Sequence, residues 1–424
     1  MTKKFWMALA LLGFLAICCV GAGAQTGLRE VNSNLKKAEK AYATLQYELA
    51  IEHYTKVLQQ QPEHLLANLK VGICYLDLVK PEKALQHLQL AYQKDPHVSE
   101  EILVLLGEAH QLLGDFDQAS DFFRAELSSL SRTELWNKQY LQKRLRECES
   151  GVLLSAAPAD VSITNLGAAI NSPYSDYVPV LLPGDTMLLY TTRRPVTTAR
   201  GKFGVVEQIH ASQLRHGIWQ QPELFLKPGH ALPDHSVVSI APHGNELYTY
   251  FGGKERGLYV SERTGAGWGA PERLGSPFNE GAVETSMHVT DDGKFAFFSS
   301  DRPGGYGGLD LYICYKLPEG GWSDALNLGP AINTAYDEDA PFVDVETNTL
   351  YFSSKGHDSM GGFDIFKSQI KGSVWSQAEN LGVPVNSPSD DIYFSLTNDR
   401  SKAYFSSDRP GGYGRKDIYL ILLK

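Results

Sequence analysis

Ser299-Ser300-Asp301-Arg302-Pro303-Gly304-Gly305-Tyr306-Gly307 returns 107 residues later as Ser406-Ser407-Asp408-Arg409-Pro410-Gly411-Gly412-Tyr413-Gly414. A looser copy, FSSKGHDSMGGFDIF, lies between them at Phe352 to Phe366. Each copy follows an aromatic run: Phe295 to Phe298, Leu350 to Phe352, Ala403 to Phe405. Each precedes an Asp-apolar-aromatic triplet: Asp310-Leu311-Tyr312, Asp364-Ile365-Phe366, Asp417-Ile418-Tyr419. Turns at Trp322 and Trp375 follow, then Leu328 with Asn333 and Leu381 with Asn386. Weaker copies run backwards through Trp268, Leu274 and Asn279, then Tyr248 to Gly257, then Asn171, Leu188 to Thr192 and Trp219. Five units of about 53 residues result, and a fixed period of this size marks a repeat architecture.

Short alternating strands between Gly and Asx turns at that period predict the blades of an all-β propeller. Val161-Ser162-Ile163-Thr164-Asn165-Leu166-Gly167 matches Ala325 to Gly329, the fourth strand of a unit. The last motif lacks such a strand after Tyr419. The early strand is therefore expected to complete the final blade and hide the sheet edges. Five blades follow. Six is the alternative, because Val196 to Trp219 matches poorly. These units resemble the WD40-like repeats of TolB-type periplasmic proteins over almost all of 161–424.

Residues 25–150 carry a different period, about 34, as helical repeats do. Ala50, Tyr54, Val57 and Pro62 recur as Ala84, Leu88, Ala91 and Pro96. Gly107, His110, Ala119 and Phe123 form a third unit, one residue out of step. Small residues let paired helices approach, large ones fill the groove, and the prolines stop each second helix. The segment resembles tetratricopeptide (TPR) repeats, an all-α solenoid, with Glu134 to Glu149 as a closing helix. The loss of helical periodicity over 151–160 reads as a linker. The resemblance implies a concave peptide-binding groove. Its expected lining is Leu35, Glu39, Tyr42, Leu69, Ile73, Leu76, Asp77, Val104, Glu108 and Gln111. Groove binding of a partner stands beside the alternative that another part of the chain fills the groove.

The propeller loops predict a second surface. Loops of the SSDRPGG type share one face with the inter-blade loops. That face should carry Arg302, Tyr306, His357, Arg409 and Tyr413, with Asp176, Glu284, Asp339 and Asp391 nearby. Convergent Arg and Tyr suit a protein partner. Asp301, Asp310, Asp364, Asp408 and Asp417 read as loop-bonding structural residues.

Lys3 and Lys4, the apolar run Phe5 to Val20 and Ala22-Gly23-Ala24 read as a signal peptide over 1–24. Periplasmic location is the expectation. Cys18 or Cys19 as a lipid anchor is the less favoured alternative. The remaining cysteines, Cys74, Cys148 and Cys314, make no disulfide framework. Net charge is −10, or −12 without residues 1–24, which disfavours nucleic acid. No other run approaches the ~20 apolar residues of a membrane span.

No GxSxG, HExxH or P-loop is present. The chain is expected not to be an enzyme and to need no cofactor. His230 and His235 around Asp234 have only a loose metal-like spacing, so no metal is expected. The TPR-then-propeller order resembles the N-terminal part of PorE-like type IX secretion components, which continue into an OmpA-type domain. This implies a scaffold or adaptor binding outer-membrane or secretion-complex proteins. No OmpA-type domain is read in these 424 residues, so peptidoglycan binding is not expected of them. A second reading has the propeller channel hold a glycan or small ligand.

Overall fold

The computed structural model describes residues 22–131, 133–197, 203–225, 235–241, 243–265 and 267–423. The signal-peptide reading up to Gly21, with Cys18 and Cys19, lies outside them, as do His230 and Asp234.

Three helix pairs come first: α1 (Ala22–Ala43) with α2 (Tyr47–Gln60), α3 (Leu65–Asp77) with α4 (Pro81–Lys94), and α5 (Ile102–Leu112) with α6 (Phe116–Ser129). Ala50, Ala84 and Ala119 are fully buried, and so are Tyr54, Leu88 and Phe123 one helical turn on. A Cβ on Gly72 or Gly107 would stand 2.5 Å from the Leu88 or Phe123 side chain, so these glycines let the paired helices close up. The closing helix α7 spans Leu135–Ala156. It outruns the expected end at Glu149, so the first six residues read as linker are helical.

Five antiparallel sheets follow, settling the blade number at five. In order, their innermost strands are Ser175–Leu181, His235–Ile240, Met287–Val289, Glu338–Asp344 and Asp391–Leu396. The poorly matched stretch belongs to blade 1, whose long strands Met187–Thr197 and Phe203–Arg215 pair throughout. The early strand Ser162–Asn165 pairs with Asp417–Leu422, Ser162 opposite Leu422 and Asn165 opposite Tyr419. It closes blade 5 as its outermost strand.

The repeated letters have identifiable work. Phe298, Phe352 and Phe405 are fully buried between blades, each worth ~1.5–3 kcal/mol of burial. Asn333 accepts from Leu311 N (2.8 Å) and donates to Leu311 O (3.0 Å). Asn171 holds Ile418 and Asn386 holds Ile365 in the same way. Asp310 accepts from Tyr306 N (2.6 Å), Gly307 N (3.0 Å) and Asn327 Nδ2 (2.8 Å). Asp417 repeats this with Tyr413 N, Gly414 N and Asn165 Nδ2.

Candidate functional site

The second-to-third-strand loops and the inter-blade loops do share one end of the propeller. The two arginines, however, are spent inside it. Arg302 Nε donates to Ser300 Oγ (3.0 Å), and Nη2 donates to Pro277 O (2.9 Å) and Glu284 Oε1 (3.1 Å). Its guanidinium lies 4.9 Å from the Phe298 and Tyr312 ring centres. Arg409 repeats the arrangement with Ser407, Pro384 O, Val385 O and Asp391, over Phe405 and Tyr419. These side chains are 17% and 13% exposed. As partner-binding residues they are corrected: each clamps its loop and neutralises a buried carboxylate. Tyr306 (52% exposed) and Tyr413 (54%) do face outward.

Blade 4 departs from this pattern. Gly356 stands where Arg302 and Arg409 stand, because a Cβ there would lie 2.2 Å from Thr334 Oγ1. His357 fills the vacated slot. Its ring centre lies 5.3 Å from that of Phe366, and Nε2 is 2.8 Å from Ile332 O, which a ring N–H reaches. It too is corrected from partner-binding to loop clamp. Burial lowers its pKa, keeping the ring neutral. The carboxylate below then pairs with no cation among the described residues. It belongs to Glu338, not to Asp339 as the sequence suggested. Glu338 accepts from Thr334 N (2.6 Å), Thr334 Oγ1 (2.7 Å) and Ser354 Oγ (2.6 Å). Burial pushes its pKa up to about 7.

The same loop joins the two halves of the chain. Met360 occupies the position of Tyr306 and Tyr413 but is only 1% exposed. It packs with Phe116, Phe123, Leu141 and Cys148 of the helical repeats. Gln111 Nε2 donates to Met360 O (3.1 Å) and Glu147 Oε2 (3.2 Å). Arg146 Nη2 donates to Tyr336 Oη (3.3 Å), and Lys143 stands over that ring at 4.9 Å. Gln111 is thus corrected from groove to joint. Part of the groove is filled from within the chain.

Glu108 accepts from Tyr140 Oη and faces Arg144 at 4.0 Å, so α7 engages it. Leu69 and Ile73 are 5% and 8% exposed in the core shared with Leu88 and Leu106, which corrects them to packing residues. The half-buried Tyr42, Leu76 and Asp77 remain at the first two repeats. Lys70 Nζ sits 4.5 Å from the Tyr42 ring centre. Asp77 accepts from the Tyr47 hydroxyl, and burial with that carboxylate pushes the phenol up to about 12. Lys70 was missed by counting groove acids alone. Leu66, one turn earlier on the same face, is 40% exposed.

The propeller axis encloses a cavity of about 400 Å³ lined by all five innermost strands. Among the described residues no group of three or more His, Cys, Asp or Glu is placed to hold a metal. No helix among them is long and apolar enough to cross a membrane. Cys74, Cys148 and Cys314 are buried free thiols. His235 stacks on Phe251 at 5.4 Å.

No family model and no curated protein sequence matches the chain. Solved structures match each half. The Arabidopsis OM64 TPR domain has 20% identity and a TM-score of 0.26, covering 28% of this chain and 98% of its own. The first TPR of Spaghetti (RPAP3), bound to an HSP90 peptide, has 18% identity and a TM-score of 0.26, covering 30% of this chain and 94% of its own. The alpha-L-arabinofuranosidase from Lactobacillus brevis has 11% identity and a TM-score of 0.41, covering 60% of this chain and 91% of its own. The expectation that the chain is not an enzyme is corrected: missing motifs exclude no activity, and a match of the propeller half is to a named glycosidase. The matches lend no support to the OmpA-linked resemblance. The chain combines a TPR-like solenoid with a five-bladed propeller.

Proposed function

We propose that the chain is a protein-interaction scaffold of the cell envelope. The observation that carries this reading is the joint at Met360. One propeller loop uses up the inner side of the third repeat and fastens the two halves together. What is left outward is the groove of the first two repeats, with Tyr42, Lys70, Leu76 and Asp77, and the loop tyrosines Tyr306 and Tyr413. Aromatic anchors beside opposite charges suit a protein segment. The envelope location rests on the Lys3-Lys4 and apolar N-terminal pattern. A place in a type IX secretion or gliding-type complex rests on the domain-order resemblance alone.

Affinity capture from native envelope tests the scaffold reading. The full chain should retain a defined set of outer-membrane or secretion-complex proteins. The pair Tyr306→Ala, Tyr413→Ala or the single change Leu66→Asp should deplete that set. Retention of nothing above background, or an unchanged set with all variants, refutes it.

A further inference from the structure

The axial cavity has an electrostatic character that the scaffold reading does not use. In each blade the chain leaves the innermost strand, turns and returns as the second strand. These turns lie at the end of the propeller away from Met360. They place Asp185, Asp291, Asp344 and Glu346 at the cavity mouth. Arg400 is the only Lys or Arg among the lining residues. It is consumed there, with Nε and Nη2 on Asp344 (2.8 and 2.9 Å) and Nη1 on Glu346 (2.7 Å).

Two of these carboxylates make no ion pair among the described residues. Asp185 accepts one hydrogen bond, from Asn398 N at 2.9 Å. The Asp291 carboxylate makes none among the described residues. Burial holds both above the usual carboxylate range, with Asp399 adding to Asp185 and Asp344 to Asp291, while Lys402 and Arg400 each offset part of the shift. Carboxylates at a cavity mouth that no ion pair neutralises favour a positive guest.

The wall below is aromatic. The Tyr177 and Tyr393 rings, 6.1 Å apart, both line the cavity. The His288 ring packs against Phe342 at 4.7 Å, and His288 Nε2 is buried with no hydrogen-bond partner. Val178, Ala340 and Tyr393 hold φ of 55°, 53° and 64° within bulged stretches of three innermost strands. That backbone is costly for residues other than glycine, and bulges re-aim side chains. Ring faces attract cations as carboxylates do. An anion would be repelled, and a neutral sugar would gain hydrogen bonds but no charge attraction from these carboxylates.

We propose that the propeller channel binds a small organic cation, a protonated primary amine on a compact apolar body. The charge lies at the mouth by Asp185 and Asp291, and the body lies against the tyrosine and phenylalanine rings. A cavity of this volume falls in the range of small-molecule sites, ~300–1,000 Å³. The inference goes beyond the scaffold reading and does not depend on it.

Calorimetric titration of the full chain with 2-phenylethylamine, 2-phenylethanol and xylotriose at pH 7.5 tests this. The amine should bind, and the alcohol of the same shape should bind at least ~10-fold more weakly, since ~1.4 kcal/mol of charge attraction is tenfold. The double variant Asp185→Asn, Asp291→Asn should weaken the amine by at least as much. Raising the salt from 0.05 to about 0.5 M should weaken it too. Unfolding curves of the variant check that it remains folded. No amine binding, equal binding of amine and alcohol, unchanged amine binding in the folded variant, or binding of xylotriose alone would each overturn the proposal.

Discussion

Glu338→Gln should remove a pH dependence of stability that the wild-type chain shows between about pH 4.5 and 7. Glu338 is fully buried, takes three donors and pairs with no cation among the described residues, unlike its counterparts Glu284 and Asp391 with Arg302 and Arg409. Its carboxyl titrates near 7 when folded, against 4.5 as the ordinary value. The folded state thus holds a proton that the unfolded state has released across that window. Stability from this site is fully present below about pH 4.5 and is lost as pH rises through 7. At 1.36 kcal/mol per pKa unit, the loss by pH 8 is about 3 kcal/mol. Glutamine keeps the shape and an acceptor for Thr334 N but cannot ionise. Urea unfolding followed by tryptophan fluorescence at pH 5, 6, 7 and 8 reads the difference. The variant should match or slightly trail the wild type at pH 5 and exceed it by a few kcal/mol at pH 8. Parallel pH curves, or a variant weaker at pH 8, would refute the uncompensated-carboxylate account.

The clamp and joint assignments predict equally definite results. Arg409→Leu should cost ~3–5 kcal/mol because it strands Asp391 in the interior. Tyr413→Ala, four residues on and exposed, should stay within ~0.5 kcal/mol, and equilibrium unfolding of the two separates clamp from surface. Met360→Asp should release the helical repeats from the propeller by burying a charge. Limited proteolysis should then cut near 157–160 many times faster, while Tyr306→Asp leaves the rate unchanged. Gly414→Ala should unfold blade 5 first in hydrogen exchange, since its Cβ would stand 1.6 Å from Tyr174 O.

The architecture was legible because each repeat must solve the same packing problem with the same residues. Phe298, Phe352 and Phe405, the Asn clips at Asn171, Asn333 and Asn386, and the strand at Ser162 announced five blades and their closure. The joint was not legible. Blade 4 reads as a decayed copy, with Gly356, His357 and Met360 in place of Arg and Tyr; the docked helices explain Met360, and Thr334 explains Gly356. Helical register misled the groove reading, since Leu69 and Ile73 satisfy both a groove face and a helix-packing face. The channel acids escaped notice because Asp185, Asp291 and Asp344 sit in or at the edge of turns of unrelated sequence. Only the ring arrangement brings them to one mouth.

In-cell photo-crosslinking through a benzophenone amino acid at Leu66 addresses the scaffold claim most directly. This position is exposed on the groove side of α3. Glu52, with its solvent-facing ion pair to Lys56 on α2, serves as the control. The account predicts discrete higher-mass adducts from position 66 that position 52 does not give. No adduct at 66, or the same adducts at both positions, would contradict it.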